Sequence, residues 1–255
     1  MVQALVFTVE PMLCNDQLSP EQISGRLKRE KKFIISHESV YRHIWKNKKK
    51  GGFLYKNLRR VGKKYNRRGA KNAGRGSIPN RVDISQRPPE VDEKKRVGDW
   101  EVDTIIGSQH QGAIVSIVDR RTKIAFLHLL SGPKADDTAR AIIEKLTHIN
   151  QFVLTITSDN GKEFSQHERI AENLKAKFFF ARPYHSWERG LNENTNGLVR
   201  QYFPKGSDFS KLSQQQILNV EKKLNNRPEK TLNYRTPFEE FYRLTGVNPE
   251  RLCTS

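Results

Sequence analysis

The chain has 255 residues, enough for one domain of ordinary size plus a smaller module, and a hydrophobic share of 35% leaves part of it solvated. Lys and Arg number 46 against 28 Asp and Glu, and the net charge of +18 points to a polyanionic partner, nucleic acid ahead of a ribosomal or membrane-surface role. Only two cysteines, Cys14 and Cys253, exclude a disulfide framework or a cysteine zinc site, and the apolar run 4–9 is too short for a membrane span or a signal peptide. A cytoplasmic protein, nucleoid-associated when bound to DNA, is therefore expected.

Residues 1–17 match no element. Ser19, with Pro20 in the first turn and Gln22 three residues on, predicts a capped helix start, and Ile23 and Leu27 share its face. After a connection over 31–35, Ser36 starts a second helix with Val40, Tyr41, Ile44 and Trp45 at helical spacing. Two short helices so joined suggest a helix-turn-helix module over 18–47 that offers His37, Glu38, Ser39, Arg42 and His43 to a DNA groove, although any small helical hairpin reads the same way.

Residues 46–81 hold 14 Lys or Arg and no Asp or Glu, so they carry +14 of the net charge. Interspersed glycines and like charges oppose a compact core, and residues 48–96 read as a flexible basic linker with a short helix around 54–58. It is either a solvated spacer or a strap along DNA phosphates, with Arg59, Arg60, Lys63, Lys64, Arg67 and Arg68 as its contacts.

From residue 97 the pattern changes. Strands are expected at Asp99–Ile106, Ala113–Asp119 and 123–130 as a meander, then at 153–158 and 176–181. A helix over 135–149 has Ala135, Ala139, Ile142, Ile143, Leu146 and Ile149 on one face; Ser186 caps a helix running to about Gln201, and another spans 212–226 with Ile217, Val220 and Leu224 inward. This core takes 97–245, with a tail at 246–255.

Three carboxylates stand where that order of elements can gather them. Asp103 lies in the first strand, Asp159 ends the fourth, and Glu193 rides the helix after the fifth. Each alone has an ordinary explanation: an edge residue, a member of an Asp-Asn-Gly turn, an exposed helix charge. Together, with 55 and 33 residues between them, they suggest a site for two Mg²⁺ or Mn²⁺ ions, which hard oxygen ligands suit, and hence in-line phosphoryl transfer. Arg200, two turns after Glu193, is placed either to hold a phosphate or to pair with that glutamate. Asn192, Asn194 and Asn196 crowd the helix with poor helix formers, as functional sites do. Glu101, Asn160 and Glu163 are second-rank candidates beside the triad, and His185 and Trp187 stand where they could touch DNA.

The residues then match a known family. Residues 98–107 (GDWEVDTIIG), 157–164 (TSDNGKEF), 183–190 (PYHSWERG), 192–205 (NENTNGLVRQYFPK) and 232–237 (LNYRTP) resemble the insertion-sequence transposases of the IS-thirty type, over about residues 18–242. The resemblance implies an α/β fold with a ribonuclease-H-like core, a mixed five-stranded sheet flanked by helices, and Asp103, Asp159 and Glu193 as metal ligands. It implies a homo-oligomer on double-stranded DNA that binds terminal inverted repeats, cleaves the element's ends and joins them to target DNA, with no small-molecule substrate. Family members carry a further helix-turn-helix region ahead of the Ser19 stretch, to which residues 1–15 do not correspond, so a shortened copy is expected. Two alternatives stay open: a catalytically inactive remnant that only binds DNA, and a metal-dependent nuclease with the same core.

Overall fold

The computed structural model of the protein describes residues 5–59, 78–182 and 190–249. The chain divides into two units, one of Met1–Asn72 with Asn226–Pro237 and one of Ala73–Asn225 with Phe238–Ser255.

The first unit is helical. A short helix α1 (Glu10–Cys14) precedes α2 (Pro20–Arg29) and α3 (His37–Lys49). Ser19 caps α2 through the reciprocal box with Gln22, and Ser36 caps α3 by accepting from the Ser39 N–H, as the sequence predicts. Val9, Leu13, Leu18, Ile23, Leu27, Val40, Ile44 and Leu54 form its core, while Tyr41 and Trp45 face outward. Burying each large aliphatic stabilises by about 1.5–3 kcal/mol. Residues 226–237 complete the unit: the Gln22 amide donates to the Pro228 carbonyl at 2.9 Å, Lys230 pairs with Glu21, and Arg26 and Arg29 reach the carbonyls of Tyr234 and Asn233. The Tyr234 ring lies on Gly25, where even a methyl group would collide with it.

The second unit holds a five-stranded sheet. Its strands are β1 (Asp99–Ile106), β2 (Ala113–Asp119), β3 (Ala125–Leu130), β4 (Thr155–Ser158) and β5 (Lys177–Phe180), in the order β3-β2-β1-β4-β5. β2 runs antiparallel to its neighbours β1 and β3; β4 and β5 run parallel to β1. This is a mixed five-stranded sheet flanked by helices, as expected from the sequence. Helices cover both faces, so β2 is buried at every position, as its apolar run AIVSIVD requires. On one face α4 (Ala135–Thr147) and α5 (His167–Leu174) pack against Trp100, Val102, Val115, Ile117, Phe126 and Ile156. On the other, α6 (Gly190–Tyr202) and α7 (Gln214–Asn225) pack on Ile105, Ile114 and Leu127. Phe238 and Phe241 of α8 (Pro237–Thr245) return to the first face.

Two turns fix the meander. At Gly112, φ is +72° and a Cβ would sit 2.7 Å from the Phe209 Cβ, so only glycine fits. Asp119, wholly buried at the β2–β3 turn, accepts from the N–H groups of Gly98, Arg121 and Thr122 and from the Thr122 hydroxyl. Burial pushes its carboxyl up to about 6 against those donors, which favour the charged form.

The outer edge of β3 is closed by side chains of α7. The Ala125 N–H donates to Asn225 Oδ1 at 2.8 Å, the Leu127 N–H to Glu221 Oε2 at 2.5 Å and the Leu129 N–H to Gln214 Oε1 at 3.1 Å; Asn225 also donates to the Ala125 carbonyl at 2.7 Å. An exposed strand edge would otherwise invite pairing with another chain.

The expected strand starts at 123 and 153 move inward by two residues. Lys123 has φ +62°, a turn conformation, and the chain over Asn150–Phe152 is a 3₁₀ turn. The expected linker 48–96 has described residues at both ends. Leu54 packs in the helical unit, whereas Ile78, Ile84 and Val91 are buried in the second unit, and residue 83 bridges to Phe180 at the β5 edge. Among the described residues no helix is long and apolar enough to cross a membrane.

Candidate active site

β1 presents alternate residues to the two helical layers. Trp100 and Val102 enter the first core; Asp99, Glu101, Asp103 and Ile105 turn toward the α6 side. β4 runs parallel to β1 in the register Asp99↔Thr155, Trp100↔Ile156, Glu101↔Thr157. Continued two residues past its last pair, that register would carry Asp159, just beyond β4, alongside Asp103. Both residues are half-buried, Asp103 within β1 and Asp159 just past the end of β4.

Each aspartate is held by its own backbone neighbours. The Thr104 N–H donates to Asp103 Oδ1 at 2.9 Å, and the Gly161 N–H donates to Asp159 Oδ1 at 2.8 Å. The second oxygen of Asp103 accepts from Asn196 Nδ2 of α6 at 2.9 Å, and Ser116 of β2, the cross-strand partner of Asp103, donates to Asn196 Oδ1 at 2.9 Å. Glu193 lies one turn before Asn196 and is exposed.

Beneath these groups lies a buried ionic network. Glu101, 1% exposed, accepts from Arg120 Nη1 at 2.6 Å and, through its other oxygen, from the Asn192 N–H in the first turn of α6 at 3.1 Å. Arg120 also pairs with Asp92, which pairs with Arg87; Arg87 donates to Thr157 Oγ1, the residue in register with Glu101. Burial holds the Arg87 guanidinium below its usual range, with the Arg120 charge acting in the same direction. Asn192 is fully buried, and neither polar atom of its side chain has a hydrogen-bond partner among the described residues.

The other sequence candidates fall in different places. Asn160 is buried and donates to the Ala181 carbonyl at 2.6 Å while accepting from Arg81, which ties the turn after β4 to the end of β5. Glu163 accepts from the Thr104 hydroxyl at 2.6 Å, and Thr104 leaves β1 on the face opposite to that of Asp103. Arg200 donates to the carbonyls of Ile106 and Pro204 and lies over the Phe209 ring, where burial lowers its pKa. Arg42 is exposed on α3, and His43 is bonded to Glu10 at 2.7 Å. Arg59 is half-buried. Arg60, Lys63, Lys64, Arg67, Arg68, His185, the Ser186 cap and Trp187 lie outside the described residues.

Sequence reasoning passed over Arg87, Arg120 and Ser116, none of which sits in a distinctive motif. Asn196 was a usable signal: its side chain bonds to Asp103 of β1, whereas Asn192 reaches Glu101 through its backbone N–H. Among the described residues no group of three His, Cys, Asp or Glu side chains is gathered closely enough to hold a metal ion.

No family model matches the chain. Among curated proteins it is 54% identical over 230 residues to the transposase for insertion sequence element IS4351 of Bacteroides fragilis, covering 90% of this chain and 71% of that protein. It is 33% identical over 243 residues to the transposase for IS1086 of Cupriavidus metallidurans, with 92% and 71% covered. It is 33% identical over 233 residues to transposase InsI for IS30A of Escherichia coli, with 87% and 60% covered. Among solved structures, the catalytic core domain of BIV integrase matches with a TM-score of 0.42 at 19% identity, over 56% of this chain and 93% of that one.

Proposed function

The chain belongs to the insertion-sequence transposases of the IS30 family, and from that premise we propose that it cuts and joins DNA at a site formed by Asp103, Asp159 and Glu193. The observation that supports the reading is the parallel β1–β4 register, whose continuation past Glu101↔Thr157 would bring Asp159 beside Asp103, together with the bond from α6 to Asp103.

The donor chemistry fits divalent cations. The three groups are carboxylates, hard oxygen ligands. Asp103 and Asp159 would hold Mg²⁺ or Mn²⁺ between them, and Glu193 would complete the set by turning in from its exposed position. Two bound ions would activate the attacking oxygen and stabilise the leaving one.

The protein's own residues do the rest. The Thr104 and Gly161 amides fix the two aspartates, so their remaining lone pairs point in set directions. The Glu101–Arg120 pair keeps a neutral floor under them, so negative charge gathers only at the DNA side. The basic residues of 46–81 and the exposed face of α3 supply phosphate contacts to double-stranded DNA, the element's ends and the target. A second reading, DNA binding without cleavage, is favoured by one observation: the three carboxylates do not form a ready cluster.

Purified protein and its Asp159→Asn variant, incubated with Mn²⁺ and a nicked or blunt DNA end, separate the readings. Metal-dependent nicking and joining by the wild type, lost at least about a thousandfold in the variant with DNA affinity kept, is the expected result. Equal cleavage by the variant would discard the triad, and no product from either would favour the DNA-binding reading.

A further inference from the structure

We propose that Asn196 is the positioning residue that aims the Asp103 carboxylate and sets the place of Glu193 along β1, acting with Glu101 as a two-point clamp between α6 and the strand. The proposal rests on the reading of Asp103 and Glu193 as active-site carboxylates.

The clamp works because two periodicities agree. Glu101 and Asp103, two apart on β1, leave the same face about 6.6–6.8 Å apart. Asn192 and Asn196, four apart on α6, lie on one helical face with an axial separation of about 6 Å. Both contacts therefore close at once: the Asn192 N–H on Glu101 at 3.1 Å and the Asn196 amide on Asp103 at 2.9 Å. A slip of α6 by one residue would turn the Asn196 side chain by about 100° and break its bond to Asp103. Glu193 sits between the two clamped residues, so its position along the strand follows from theirs.

Asn196 is itself oriented. Its oxygen accepts from the Ser116 hydroxyl, which leaves the NH₂ group to face Asp103. With Oδ1 held by the Thr104 amide and Oδ2 by Asn196, both oxygens of Asp103 are fixed in direction. Asparagine is a poor helix former, so its presence at this helical position is better explained by the bond than by the helix. A group that orients a ligand in this way typically changes metal affinity or turnover by about 10–100-fold when removed.

The test uses the full chain. Cleavage of a DNA duplex gives kcat and KM, and calorimetric titration with Mn²⁺ in the absence of DNA gives a readout independent of turnover. Asn196→Ala should lower kcat by about 10–100-fold with KM for DNA unchanged and weaken Mn²⁺ binding by a similar factor. Asn196→Gln should recover part of both. Ser116→Ala should act in the same direction more weakly, and the double variant should be no worse than Asn196→Ala, because Ser116 acts through Asn196. Asn194→Ala, exposed on the same helix, should leave both unchanged. Wild-type kcat and Mn²⁺ affinity in Asn196→Ala would overturn the proposal, as would an equal loss in Asn194→Ala. If Asn196→Ala does not fold, Ser116→Ala decides by the same two readouts. Asp103→Asn separates this failure from that of its basis: full cleavage by that variant removes the active-site reading, whereas an inactive Asp103→Asn beside a normal Asn196→Ala removes only the clamp.

Discussion

α6 and α7 lie on the same face of the sheet and both hydrogen-bond to a strand, but they grip different parts of it. α7 bonds to backbone: Gln214, Glu221 and Asn225 take the outward N–H groups of β3, and any residue at those strand positions offers the same N–H. α6 meets side chains, Glu101 and Asp103, which only those residues supply. The first arrangement closes an edge and contributes stability. The second spends polar contacts on holding carboxylates in place, so the sequence is constrained at Glu101 and Asp103 on the strand and at Asn196 on the helix, while Asn192 supplies a backbone N–H.

Breaking the α6 grip at its buried end should have the largest effect on folding. Glu101→Ala leaves Arg120 buried without its closest partner and removes the acceptor of the Asn192 N–H. A loss of about 3–5 kcal/mol is expected, read by denaturant or thermal unfolding, together with lost cleavage in the folded fraction. A change under about 1 kcal/mol would show that the network is not a support. On the other helix, Asn225→Ala unpairs the N–H and C=O of Ala125 and should cost about 1–3 kcal/mol while turnover per folded molecule stays at the wild-type level. A fall in turnover would erase the contrast between the two helices.

The smallest effect is expected at the same edge strand. Burial holds His128 below the ordinary histidine pKa, against an opposing pull from Glu144, and its Nδ1 is buried without a partner among the described residues. The folded state therefore binds fewer protons than the unfolded one, so this contribution is present above about pH 6.5 and is lost as pH falls through that value. The melting temperature should drop between about pH 7 and about pH 5, and His128→Gln should flatten the drop. An unchanged slope in that variant would assign it to other groups.

Much of the architecture was legible because it is written locally. Ser19 with Gln22, Ser36, and the β-branched run of β2 each carry their signal within a few residues. What escaped depends on contacts far along the chain. α5 shows only Ile170 and Leu174 as apolar anchors over its eight residues, and its buried His167 gives no periodic signal. The joining of residues 226–237 to the first helical unit is made by bonds such as Gln22 to Pro228, which no local pattern announces. Burial of Ile78, Ile84, Arg87 and Val91 is equally silent in a stretch whose composition speaks for solvation.

The site divides in the same way. Asp103 could be placed on a strand and Asp159 at a strand's end from sequence, but the parallel pairing of β1 with β4 is not written locally. The asparagines of α6 were conspicuous as poor helix formers, yet which of them faces β1 is fixed only by the way the helix crosses the sheet. Arg200 was expected beside Glu193 or a phosphate; backbone carbonyls of Ile106 and Pro204 take it instead.

Anomalous diffraction from crystals of the protein with short DNA ends and Mn²⁺ tests the placement of the chemistry most directly. A manganese peak within about 2–2.5 Å of carboxylate oxygens from both Asp103 and Asp159 is the predicted result. Manganese bound elsewhere, with those two side chains turned apart under saturating metal, would contradict it.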